Sequence, residues 1–154
     1  MSAFGIDIDA RCVRVFNNSK EVGRDEALDT LVDAVASTGA INDVESLRTA
    51  IREREESMST GIGGGVAIPH VRIGAVNRPV IGVGISKTGV DFSAADNKPV
   101  HVIVLFAMPP DSNKLYLGLL AQVMVALKAP NFLDRLIASK KPEDVVAILN
   151  ESGG

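Results

Sequence analysis

The sequence has no tryptophan and a single tyrosine among 154 residues, so aromatic platforms for stacking bases are nearly absent. Cys12 is its only cysteine, which excludes an internal disulfide and suits a reducing compartment. Charge of one sign is not in large excess. The formal net charge is −3 with no block of like charges, which disfavours nucleic-acid binding through a basic patch. Long apolar runs are missing too. The longest, Val100 to Pro110, carries His101 and has roughly half the ~20 residues that a membrane-spanning helix needs. No basic start runs into an apolar segment, as a secretory leader would. Two histidines and one cysteine are too few for a dedicated metal site. The expectation is a soluble cytoplasmic protein with no metal, no cofactor, no nucleic-acid partner and no direct membrane insertion.

What is present is a hydrophobic content of 46%, enough to build a core without staples. The length suits one domain, residues 1–154, of the usual size of about 100–200 residues. Residues Cys12 to Phe16 read as a short strand. From Asp25 to Ser37 the residues Leu28, Leu31, Val32 and Val35 share a helical face, with Gly39 as the stop. Asn42 or Asp43 caps a second helix whose stripe is Val44, Leu47 and Ile51. After Glu56 the pattern breaks into a small-residue loop, Ser57–Gly65. Val80–Ser86 and Val100–Ala107 are rich in branched residues and read as buried strands. Asp111 is placed as the cap of a long helix to about Lys128, with Pro130 beyond it. Phe132–Ile137 and Pro142–Leu149 complete the helices. The order is not a regular strand–helix alternation, so an α/β sandwich with a mixed sheet flanked by helices is expected.

The candidate chemistry lies between Ser59 and His70. Four glycines in five positions, Gly61 and Gly63 to Gly65, allow close backbone approach and can point amide hydrogens into an anion-binding concavity. Ser59 and Thr60 add hydroxyls. Pro69 stiffens the segment that presents His70, and a neutral imidazole is a competent nucleophile. Taken alone, a glycine-rich loop is more often just a tight turn. Neither the P-loop ending nor the dinucleotide fingerprint is present. Arg54 falls within roughly 20–80° of Val44, Leu47 and Ile51 at 100° per residue. It is therefore expected on the core-facing side at the end of the second helix. There it either makes a salt bridge or carbonyl cap, or offers a guanidinium fork to phosphate oxygens. Tyr116 opens the buried stripe of the long helix, near its positive end, so its hydroxyl is expected toward the same site. His101, near a strand start, reads as structural.

Taken together, Arg54-Glu55, Ser59-Thr60-Gly61-Ile62-Gly63 and Gly65-Val66-Ala67-Ile68-Pro69-His70 resemble the EIIA domain of the fructose–mannitol phosphotransferase family. That family includes the nitrogen-related EIIA regulators. The resemblance extends through Asn97-Lys98-Pro99-Val100-His101 and the helix from Lys114 to Lys128. It implies a mixed sheet between helices and a phosphohistidine at His70, formed by an HPr-like phosphocarrier. It implies that Arg54 helps hold the phosphoryl group, which passes to a cysteine of an EIIB domain. Ser59, Thr60, Gly61, Gly63 and Tyr116 are the expected phosphate-binding residues. The alternative is a regulatory EIIA-like protein whose phosphorylation state controls binding to a target protein. Two positions depart from the family: Tyr116 stands where many members have a second histidine, and Gly64 where asparagine is common.

Overall fold

A computed structural model describes residues 8–16 and 22–152; the first seven, read above for a leader, lie outside the described residues. A 3-10 turn, Ala10–Cys12, leads into β1, Val13–Phe16. Two helices follow, α1 (Arg24–Ala36) and α2 (Val44–Ser57). Three short strands come next: β2 (Gly61–Gly63), β3 (Val66–Ala67) and β4 (His70–Arg72). Two long strands, β5 (Val80–Val90) and β6 (Val100–Met108), precede α3 (Asn113–Leu127), α4 (Phe132–Ile137) and α5 (Pro142–Ser152).

The sheet is mixed, in the order β1-β5-β6-β3-β2, with β4 also paired to β6. β5 and β6 are antiparallel, whereas β1 runs parallel to β5, and β3 and β4 run parallel to β6. Side chains of β6 alternate between faces, as strand geometry requires. Val102, Val104, Phe106 and Met108 join Leu119 and Val123 of α3, Leu136 of α4 and Leu149 of α5 in one layer. Ile103, Leu105 and Ala107 join Leu28, Leu31 and Val35 of α1 and Leu47 and Ile51 of α2 in the other. The expected sandwich is therefore what forms. Two strand glycines set its thickness on one side. A Cβ at Gly82 would come within 3.0 Å of Val35, and one at Gly84 within 3.2 Å of Leu31, so α1 rests directly on β5.

Asp43 is the cap of α2, its carboxylate accepting from the Ser46 amide at 3.1 Å. Two expectations are corrected. The cap position of α3 belongs to Ser112, not Asp111, because the chain turns after the proline pair. The Ser112 hydroxyl donates to Pro109 O at 2.6 Å and closes that turn. The stretch Ser57–Gly65 is not simply a loop: α2 runs to Ser57, and β2 pairs antiparallel with β3. Gly63, Gly64 and Gly65, with φ of 93°, 67° and 83°, make the turn between them. Such angles strain any residue with a Cβ.

Candidate functional site

His70 begins β4, opposite Phe106 of the central strand. Pro69 precedes it and has no amide hydrogen, but its carbonyl accepts from the Phe106 amide at 2.9 Å. The segment is thus held on β6 without a donor from Pro69. The half-buried His70 ring donates from Nδ1 to Ile68 O at 2.9 Å. A carbonyl can only accept, so this bond places the proton on Nδ1. In the neutral ring the lone pair is then on Nε2.

Tyr116 packs its ring against this one. The centroids of His70 and Tyr116 are 5.0 Å apart with an interplanar angle of 24°, a stacked pair. Phe106 packs edge-on to the Tyr116 ring, with centroids 5.5 Å apart and an interplanar angle of 83°. Burial pushes the Tyr116 phenol pKa up, while the charges of Arg54 and Arg72 pull against that rise. Two guanidinium groups therefore act on the tyrosine hydroxyl. Arg72 was not expected from the sequence, although it lies two residues beyond His70 on one strand. Residues i and i+2 of a strand share a face, and that rule would have found it.

Arg54 is half-buried rather than core-facing, and Glu55, next to it, takes the buried position at 3% exposure. The Arg54 Nη1 donates to Met58 O at 3.1 Å, a cap on the end of α2. The carbonyl-cap reading thus accounts for one of its nitrogens. Arg54 also lines two adjoining clefts that share His70. One, of about 390 Å³, is walled by Met58, Ile68, Tyr116, Leu120 and Met124. The other, of about 440 Å³, contains Arg72, Ile73 and Pro110.

The glycine segment is placed differently from expectation. Ser59 and Thr60 line the first cleft, but their hydroxyls hold the loop together. Ser59 Oγ donates to Phe92 O and accepts from the Gly61 amide, and Thr60 Oγ1 donates to Glu55. Gly61 and Gly63 are not among the residues of either cleft. β3 is opposite Val102 and Ile103, whereas His70 is opposite Phe106. The Gly63–Gly65 turn therefore lies beyond the Val102 level of β6, about 13 Å along the strand from His70 at ~3.3 Å per residue. The concavity of that turn is occupied from within. Asp96 accepts from the Gly64 amide at 3.0 Å and the Lys98 amide at 3.1 Å, which holds its carboxyl below the ordinary range.

His101 donates from Nδ1 to Ser86 O at 2.8 Å, consistent with a structural role. Cys12 is buried, and desolvation pushes its thiol up to about 11, so it is no nucleophile at neutral pH. Among the described residues, no cluster of three His, Cys, Asp or Glu could hold a metal, and no helix is long and apolar enough to cross a membrane.

The fold resembles solved structures over most of the chain. It matches the nitrogen regulatory protein IIA-Ntr of Neisseria meningitidis with a TM-score of 0.80, at 24% identity, over 92% of this chain and 95% of that one. It matches the mannitol IIA of Escherichia coli with a TM-score of 0.76, at 18% identity, over 94% and 99%. By sequence, it is 32% identical over 133 residues to the fructose-specific EIIABC component of Bacillus subtilis, 86% of this chain but only 21% of that protein. It is 35% identical over 105 residues to a nitrogen regulatory protein of Klebsiella oxytoca, 68% of this chain and 65% of that one. Residues 10–152 match the family described as phosphoenolpyruvate-dependent sugar phosphotransferase system, EIIA 2, and the chain belongs to that family of phosphocarrier and regulatory EIIA proteins.

Proposed function

We propose that this chain, residues 1–154, acts as one EIIA domain that carries a phosphoryl group on Nε2 of His70. The observation that carries the reading is the Nδ1–H bond to Ile68 O at 2.9 Å. It holds the ring in one tautomer and puts the nucleophilic lone pair on the other nitrogen. Arg54 and Arg72 line the clefts that share His70 and supply positive charge for phosphoryl oxygens. Tyr116 offers its hydroxyl and stacks against the ring. Ser59 and Thr60 shape the cleft wall. In the first step, Nε2 attacks phosphorus on the phosphohistidine of an HPr-like carrier, forming a P–N bond here as the donor's breaks. In the second, a cysteine thiolate of an EIIB domain attacks the same phosphorus, and His70 leaves as a neutral imidazole. A solved relative at 17% identity is a complex of mannitol IIA with phosphorylated mannitol IIB, which supports an EIIB-type acceptor. The setting we propose for both steps is the cytoplasm.

The second reading is regulatory. It is supported by the 35% identity to a nitrogen regulatory protein over 68% of this chain, beside 32% to a fructose-specific component over 86%. In that reading the same phosphohistidine changes which target protein docks at the cleft.

Incubation with enzyme I, HPr-like carrier and phosphoenolpyruvate tests the shared step. Acid-labile label should appear on the wild-type chain and on His101→Ala, and vanish in His70→Ala. Label that survives in His70→Ala but is lost in His101→Ala sinks the assignment.

A further inference from the structure

Glu55 is a carboxylate in an expensive place. It is 3% exposed and sits in the last turn of α2, at the negative end of the helix dipole. Burying an anion without partners is costly, so its hydrogen bonds decide whether it is tolerated. Both come from one residue. The Thr60 amide donates to Oε2 at 2.8 Å, and the Thr60 hydroxyl donates to Oε1. An apolar residue would fill the position at lower cost, and local rules are broken in this way mainly at functional sites.

The bonds lead to His70 in two further steps. Thr60 is gripped on its other side, its carbonyl accepting from the Ile68 amide at 3.0 Å. Ile68 in turn presents the carbonyl that receives the His70 Nδ1–H at 2.9 Å. On the helix side, Arg54 donates to Met58 O at 3.1 Å. Arg54 and Glu55 thus bracket the segment from Met58 to Thr60, one on each side. We infer that Glu55 is a positioning residue for phosphoryl transfer: through Thr60 and Ile68 it fixes the tautomer and placement of the His70 ring relative to Arg54. The inference rests on the reading of His70 as the phosphoryl carrier, and it deepens that reading.

Three variants separate position from charge and from bulk stability. Glu55→Gln can keep both bonds, with its amide oxygen accepting from the Thr60 N–H and its amide nitrogen donating to a rotated Thr60 hydroxyl. Transfer and ring tautomer should stay near wild type. Glu55→Ala removes the bracket, and a ring displaced by about 1 Å loses roughly tenfold to a hundredfold in transfer rate. Thr60→Val removes only the hydroxyl arm and should fall between the two, with Thr60→Ser restoring wild-type behaviour. The second readout is long-range ¹H–¹⁵N correlation of the neutral His70 ring. It should show one tautomer, protonated on Nδ1, in wild type and Glu55→Gln, and a mixture in Glu55→Ala and Thr60→Val. If Glu55→Ala does not fold, Thr60→Val decides. A wild-type tautomer and transfer rate in the folded Ala or Val variant overturns the inference. So does a Gln variant as impaired as Ala, because charge rather than position would then be the cause. Wild-type chain that takes no label on His70 defeats the carrier reading, while the tautomer shift remains measurable without any transfer.

Discussion

Replacing Tyr116 separates what its ring does from what its hydroxyl does. The ring is 9% exposed, stacked on His70 at 5.0 Å and edge-on to Phe106 at 5.5 Å, within the layer that joins α3 to the sheet. Tyr116→Ala removes both contacts and leaves a cavity under the start of α3. Truncating a buried large aromatic to alanine costs about 3–5 kcal/mol. At about 2–4 °C per kcal/mol for a chain of this size, Tm should fall by roughly 6–20 °C. Tyr116→Phe keeps the ring and its packing, so its melt should nearly overlay the wild type. Its effect belongs to the chemistry. A hydrogen bond from the neutral phenol to a charged phosphoryl oxygen contributes about 1.5–3 kcal/mol, or roughly a tenfold to hundredfold change in an equilibrium or rate. Calorimetric melts of the unphosphorylated variants and the decay of isolated phosphohistidine protein measure the two effects separately. A Tyr116→Ala variant that melts with the wild type, or a Tyr116→Phe variant that loses as much stability as Tyr116→Ala, refutes the packing role of the ring. An unchanged phosphohistidine lifetime together with an unchanged transfer rate in Tyr116→Phe refutes the role of the hydroxyl.

Arg54→Lys keeps a cation but loses the planar fork, so transfer should slow by about tenfold, the worth of a charge-assisted bond of ~1.5 kcal/mol, with little change in Tm. A large drop in Tm with normal transfer would assign Arg54 to the helix cap alone. The phenol of Tyr116, the only tyrosine, should ionise above its ordinary value of 10.0, because burial outweighs the pull of Arg54 and Arg72. A raised folded value means that the neutral form is preferred in the fold. Its stabilising contribution is therefore complete below the ordinary value and is lost as pH rises through the folded one. Ultraviolet absorbance of the phenolate reads this directly, and a midpoint at or below the ordinary value contradicts the buried placement.

The long elements were legible because their apolar spacing is sustained. The stripe Leu28, Leu31, Val32 and Val35 covers one face of α1, and all four residues are fully buried. The hairpin of β2 and β3 was not legible. Strands of 3 and 2 residues are too short to show a period, and their glycines read as a loop. The order of Arg54 and Glu55 at the end of α2 was undecidable from spacing. Both flank the stripe of Val44, Leu47 and Ile51 at the same roughly 20–80°, on opposite sides. Which one is buried depends on Thr60, a residue outside the helix whose two donors suit a carboxylate and not a guanidinium. The meeting of His70 with Tyr116 was legible in outline, since one lies beside the stiff Pro69 and the other begins the buried stripe of α3. Its stacked geometry was not, because it follows from β4 lying against the same strand, β6, that supplies Phe106.

In the proposed carrier, the anion-binding capacity of the site comes from a different source than the glycines suggested. A turn of backbone amides binds an anion at fixed positions and without charge of its own. Here that turn is about 13 Å along β6 from His70 at ~3.3 Å per residue, and Asp96 accepts from its Gly64 amide. In the proposed carrier a phosphoryl group on His70 is instead met by side chains: Arg54, which lines both clefts at His70, and Arg72, which lines one of them. Guanidinium groups carry full charge, and in the proposed relay the Arg54 nitrogens that do not cap Met58 O can turn toward phosphorus as it moves from an incoming histidine to Nε2 and then to an outgoing thiolate. Fixed amides would favour one of those positions over the others. A carrier needs nearly equal affinity along the path, since binding one state tightly slows departure from it. The loop that precedes His70 then has a mechanical task. It holds the ring through Ile68 and holds itself through Thr60 and Glu55, with one Arg54 nitrogen capping Met58 O and the others turned to the ring's surroundings.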